Sequence, residues 1–431
     1  MRGAAARRKG LLLSMGAALA LAACSEGTSP PATGTGGPAE SASSAGPVRI
    51  GLLLPLSGRN AGLGRQMANA AILAVPATQK TAQIDLKDSD GAGGASAAAR
   101  AAIGAGDQIL LGPLTAGQTA EVSGLAVAAG IPELAYTSDP ARAQEGVWVM
   151  GLTPDQQVSR LVAAAHAEGR KTFAAFLPDT AFGRALGAGL IAACAANGVA
   201  APNVVYHASD AASIQEGLKT LSAIEERQAQ SQSPAQTAAS PDAGEPNAVN
   251  PVPDATPDAS APPASASAPS LAPPPFDALL LGDTGLQLAT VITALRDDKI
   301  DPATVRIMGP ALWGAFASKL GALHGAWFAA PDPASRASYV QAYRRRYGLA
   351  PTPMADVAYD TAAVAGALAA QPERFSPASL MREDGFAGVD GVFILKPGGH
   401  VARALAIFTI QPGGGASIAQ PAPRTLTDTP S

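Results

Sequence analysis

Cysteine is nearly absent: Cys24 and Cys194 are the only two in 431 residues. Histidine is almost as scarce, and His166, His207, His324 and His400 are scattered, with no HExxH and no Cys/His cluster to hold zinc. There is no GxSxG elbow, no Walker loop and no dinucleotide-binding glycine fingerprint. The "GAGGAS" at 91–96 reads as a turn into a helix, and "DSDG" at 88–91 misses the downstream ligands of a calcium loop. A formal net charge of −4 with no large basic block argues against nucleic acid, which needs a clustered basic face. Aromatics make up only 4%, and beyond the N-terminus no run of 18 apolar residues occurs. These shortages together exclude the common catalytic constellations, so the expectation is no enzyme, no cofactor and no metal.

What is present begins with an address. Arg2, Arg7, Arg8 and Lys9 precede an apolar stretch from Leu11 to Ala22, too short for a comfortable membrane span. It ends in Leu21-Ala22-Ala23-Cys24, which resembles the bacterial lipobox, whose cysteine is acylated and becomes the new N-terminus. Ser25 follows in place of the aspartate that retains such proteins at the inner membrane, so the expected location is the periplasm, lipid-anchored at the outer membrane. Cys194, in the alanine-rich "LIAACAANG", would then have no internal partner and is expected to be a buried structural thiol. Residues 25–47 are small, polar and rich in Pro and Gly, a flexible tether.

Hydrophobic residues reach 47%, enough for real cores. From Val48, short apolar runs ("VRIGLLL", "QIDLKD", "QILLG", "IPELAY") alternate with alanine-rich helical stretches, and a second series starts near Thr153. Regular β-α alternation calls for parallel sheets with helices on both faces. The expected fold class is therefore α/β, two doubly wound parallel-sheet lobes. In the first helix Leu63, Met67, Ala70 and Ala74 fall at i, i+4, i+7 and i+11, one stripe facing a sheet. Residues 228–275 break the pattern without a lysine or arginine beyond Arg227, and composition alone predicts an inserted disordered loop. The stretch "GVDGVFILKPGGHVARALAIFTIQP" reads as a hairpin turning at Pro397-Gly398-Gly399, and residues 412–431 as a flexible tail.

Ligands in such folds sit at the carboxyl ends of strands. In the first series those corners are Ser57-Gly58, "GPLTAGQT" with Thr115, Ala116 and Gly117, and Tyr136, Thr137 and Ser138. Small residues, hydroxyls and helix N-termini offer free N–H groups to a carboxylate, although each hydroxyl alone is equally an N-cap. The second series offers Asp179 and Phe182 in "PDTAFG" and Asp283 in "GDTG", as ligand groups or as caps and rim packing.

The segments "VRIGLLLPLSGRNAGLG", "QILLGPLTAGQTAEVSGLAVAAGIPELAYTS", "PDTAFGRALGAGL" and "FDALLLGD" together resemble the type I periplasmic-binding, leucine-binding-like superfamily over roughly residues 48–411. Within it, "LLPLSGRNAGLG" and "LWGAFASKLGALHGAWFAAPDP" look like the penicillin-binding protein activator lipoproteins. The resemblance implies two lobes joined by three crossings, near residues 150, 310 and 387. Lobe 1 then spans 48–152 and 310–387, and lobe 2 spans 153–309 and 388–411. It also implies docking to a peptidoglycan synthase or, alternatively, capture of branched-chain amino acids or related carboxylates for an ABC permease. Amino-acid binders of this superfamily hold the substrate ammonium with an acid near the "GDTG" loop; here Leu286 or Gln287 stands there, with Asp283 nearby. Asn60 to Leu63 replace their covering aromatic.

Overall fold

The computed structural model describes residues 46–232 and 271–426. The leader, Cys24, the tether up to Ala45, residues 233–270 of the insert and the last five residues lie outside the described residues.

Strand β1 (Val48–Leu54) is buried at every position but Arg49, as expected of a strand covered on both faces. It runs parallel to β2 (Ala82–Asp88) on one side and β3 (Leu110–Leu111) on the other. With β4 (Glu133–Ala135) and β5 (Val147–Val149) the sheet has the order β2-β1-β3-β4-β5. The crossovers are α1 (Ala61–Ala74), α2 (Gly94–Gly104) and α3 (Ala116–Ala128). Met67 and Ala70 are fully buried and Leu63 packs on the same core, so the stripe faces the sheet.

The chain leaves this lobe through α4 (Pro154–Ala167) and builds a second sheet. Its elements are β6 (Phe173–Pro178), α5 (Ala181–Ala196), β7 (Asn203–His207), α6 (Ala211–Ser222), α7 (Ile224–Gln232), β8 (Ala278–Leu281), α8 (Gly285–Asp297), β9 (Arg306–Gly309) and β10 (Trp327–Ala330). It then returns to the first lobe with α9 (Ala337–Tyr347), α10 (Pro353–Leu368) and α11 (Pro377–Leu380). There α10 packs along α1, and Tyr343 donates its hydroxyl to Gln66 O at 3.1 Å. A small antiparallel sheet of β11 (Phe386–Gly388), β12 (Gly391–Leu395) and β13 (Val401–Arg403) follows. The last strands, β14 (Ala406–Ile410) and β15 (Ala416–Gln420), complete a seven-stranded sheet in the order β15-β14-β10-β9-β8-β6-β7. Cys194 is buried and free in α5, and burial pushes its thiol up to about 11.

Three boundaries differ from the sequence reading. The second crossing follows Ala330, not 310, because β9 and β10 lie side by side in the second sheet, joined by 3-10 turns instead of a full helix. The third follows Arg403, not 387: Phe386, Phe393, Leu395 and Val401 belong to the core of lobe 1, and Trp148 Nε1 donates to Lys396 O at 2.8 Å. The tail is not loose from 412, since residues 416–420 pair with β14 as an edge strand. That strand is exposed along most of its length, so no apolar alternation marks it.

The insert is also narrower than 228–275. Helix α7 continues to Gln232, and Phe276 is buried. Arg227, 5% exposed, donates to Ala272 O at 2.7 Å and to Asp298 O at 3.1 Å, fastening the two ends of the excursion to the lobe.

Both lobes repeat one device. Strands β1 and β6 each run into a proline, and the next helix crosses it at a glycine. A Cβ on Gly64 would lie 1.9 Å from Pro55 O, and one on Gly183 2.0 Å from Pro178 O. Only glycine lets helix and strand end approach this closely.

Candidate functional site: strand tips and a hinge groove

In lobe 1 the ends of β1 and β2 and the start of α3 form one network, which the β4 tip does not join. The Asp88 carboxylate, at the end of β2, accepts from Leu56 N at 2.8 Å, from Asp90 N at 3.0 Å and from the Ser57 hydroxyl. Burial alone would raise this carboxyl; the donors outweigh it and hold it below its ordinary value. Gln118 Nε2, from the first turn of α3, reaches Asp90 Oδ1 at 2.6 Å and Ser89 O at 3.3 Å. Thr115 Oγ1 caps α3 by accepting from Gln118 N at 3.3 Å. Ala116 and Gly117 lie in that first turn, and Gly58 is exposed in the left-handed region at φ +65. Thr137 Oγ1 accepts from Asp139 N at 3.0 Å, and Ser138 is exposed.

Tyr136 does not cover a ligand. It is 1% exposed in the core, its hydroxyl 3.1 Å from Thr361 Oγ1, and burial pushes the phenol upward. The run "IPELAY" places it one residue past β4, where alternation turns it into the core shared with α10.

In lobe 2 the tips gather around His207. Its Nε2 is 3.1 Å from Asp283 Oδ2, both side chains 1% exposed, and the ring stacks on Phe176 at 4.3 Å. Burial disfavours the imidazolium, yet Asp283 and Ala208 O outweigh it and raise the His207 pKa. Asp283 O accepts from Trp313 Nε1 at 3.0 Å. Asp283 is thus a buried partner of histidine and not an open ligand group, and no local pattern marks His207, 76 residues away, as its partner. Asp179 is exposed and pairs with Arg184 at 2.6 Å, while its neighbour Thr180 caps α5 through Gly183 N at 3.1 Å. Phe182 packs half-buried against the core. Beside Asp283, Leu286 is 89% exposed in the first turn of α8.

Sequence reasoning missed a buried charge cluster near the lobe boundary. Asp356 pairs with Arg336 at 2.6 Å, and Asp360 accepts from Val389 N at 2.7 Å with Arg403 Nη1 at 3.9 Å. Asp390, also buried, completes the group. Desolvation raises all three carboxyls, Asp360 to about 7. The available signal was two acids four apart in an alanine-rich helix, "ADVAYD", which places both on one buried face.

It also missed a groove of about 620 Å³ where α4 and α5 meet the β12–β13 hairpin and the chain after β15. None of the strand-tip candidates lines it. Among the described residues no group of three or more His, Cys, Asp or Glu could hold a metal, and no helix is long and apolar enough to cross a membrane.

The model for the family described as Periplasmic binding protein matches residues 47–416. No curated protein sequence matches the chain. Among solved structures, a protein described as a branched-chain amino acid ABC transporter from Rhodospirillum rubrum is similar at 19% identity and TM-score 0.62, covering 87% of this chain and 99% of that one. The C-domain of LpoA (YraM) from Haemophilus influenzae, described as a regulator of PBP1A, is similar at 16% identity and TM-score 0.57, covering 86% and 99%. Against full-length LpoA from the same organism the chain is 16% identical with TM-score 0.57, covering 88% of itself and only 59% of that protein. At such identities the likeness is one of fold, and the fold is that of a two-lobed type I binding protein. With the family model spanning most of its length, the chain belongs to the periplasmic binding protein family.

Proposed function

We propose that this protein is a non-catalytic periplasmic docking protein of the penicillin-binding protein activator type. Anchored through a lipid on Cys24, it binds a peptidoglycan synthase and raises its activity. The observation that carries this reading is the state of the second-lobe tip. The acid nearest the position that would receive a substrate ammonium, Asp283, is enclosed with His207, and the side chain at that position, Leu286, is apolar and 89% exposed. A free amino acid would find Asp283 closed to it, while the exposed Leu286 suits a protein surface. The likeness to the LpoA C-domain supports the same direction. Cleft hydroxyls already engaged as caps, at Thr115 and Thr137, point away from solute capture as well.

The test pairs two measurements. Thermal-shift screening against the standard amino acids is expected to show no stabilisation that Ser138→Trp, a change at an exposed strand tip, removes. Purified bifunctional synthase is expected to be retained by the immobilised protein and lost with Leu286→Lys, whose exposure leaves the fold unaffected. A micromolar amino-acid ligand whose binding is lost with Ser138→Trp, and which at hundredfold excess would add about 2.7 kcal/mol of stability, overturns the proposal in favour of ABC import.

A further inference from the structure

The groove at the lobe boundary has unspent hydrogen-bonding capacity of both kinds. On α4, Gln156 and Arg160 lie one turn apart on the same face. Gln156 is 8% exposed; its Nε2 donates to Val401 O at 2.6 Å, but its Oε1 is buried without a partner. Asp155 Oδ1, also lining the groove, is buried and unpartnered. These are two acceptors lacking donors.

Cations are in excess on the same walls. Arg160 is spent on neutral oxygens only, donating to Leu405 O at 2.9 Å and Gln420 Oε1 at 3.1 Å. Lys396, half-buried at the hairpin turn, makes no ion pair among the described residues, and His400 stands exposed beside it. The single acid, Asp155, sits in the first turn of α4, where the helix N-terminus already balances negative charge. Arg403 is matched by Asp360 behind the wall. Strand β13 is an edge strand, so the hairpin flank of the groove carries no further strand.

We infer that this groove is a second binding site, distinct from the strand tips, for a ligand that presents a carboxylate next to N–H donors: an amino acid or the end of a peptide. The carboxylate lies between Arg160 and Lys396, and the N–H groups satisfy Gln156 Oε1 and Asp155 Oδ1. The volume of about 620 Å³ lies within the range of small-molecule sites. This inference is independent of the docking reading above, because it involves neither Leu286 nor the strand tips.

The test is isothermal titration of the full chain with three probes: glutamate, the tripeptide Gly-Gly-Glu, and glutarate, which has the carboxylates without the N–H groups. Saturable binding of glutamate or of the tripeptide, stronger than that of glutarate, is expected, and which of the two binds identifies the source. Lys396→Gln removes a charge whose side chain holds nothing else in place and should weaken binding about tenfold, the worth of one charge-assisted contact. Ser159→Glu, an exposed groove position, should abolish it by repulsion while the unfolding temperature stays unchanged. Absence of saturable binding, equal binding of glutarate, or indifference to both variants overturns the inference.

Discussion

Glu133 offers the sharpest physical test of lobe 1. It opens the three-residue strand β4, is 0% exposed, and neither carboxylate oxygen has a hydrogen-bond partner. Its register partner across the sheet is Leu110, so both face the small apolar core formed with α2 and α3. Desolvation therefore raises its pKa from 4.5 to about 8. A carboxyl with a raised folded pKa binds its proton more tightly when folded. Its contribution is fully present below about 4.5 and is lost as pH rises through about 8. Within that window one proton is taken up on folding, which gives a slope of about −1.4 kcal/mol per pH unit. Between about pH 5.5 and 7.5 the wild type should lose about 2.7 kcal/mol from this group alone. Glu133→Met, similar in volume and without the charge, should lack that loss. Urea unfolding of both proteins at the two pH values isolates the difference, since Asp356 and Asp360 titrate identically in each. Parallel pH dependence in wild type and variant would refute the reasoning.

Two further outcomes follow from packing. Gly64→Ala places a methyl 1.9 Å from Pro55 O and should destabilise lobe 1 by about 3 kcal/mol, read as a lower urea midpoint with unchanged m. His207→Ala leaves Asp283 buried without its imidazole and should cost about 3 kcal/mol. Because the His207 pKa is raised, that penalty should be greatest at acid pH and fade as pH climbs through the folded value, a trend that unfolding at two pH values would check.

The sheets were legible because buried parallel strands read as unbroken apolar runs, as in "VRIGLLL" and "FAAFLP". Two features were not: β15, which exposes most of its side chains, and the lobe boundary after β10, because no helix separates β9 from β10 to mark it. The positions of the candidate tips followed from the strand ends, but the state of each side chain depended on long-range partners. Nothing near "GDTG" announces His207, and nothing in "AYTSD" announces Thr361. The groove was invisible for the same reason, being assembled from α4, α5, a hairpin some 240 residues later and the chain beyond β15.

The paired glycine–proline contacts bear on how such a molecule can move. With Gly64 against Pro55 and Gly183 against Pro178, each lobe's leading helix is locked to its first strand at backbone contact, leaving no slack for the connecting corner to swing alone. Any movement of one sheet against the other would then be a rotation of whole lobes about the three connecting segments. A partner gripping one exposed corner would therefore drag the entire half-molecule with it.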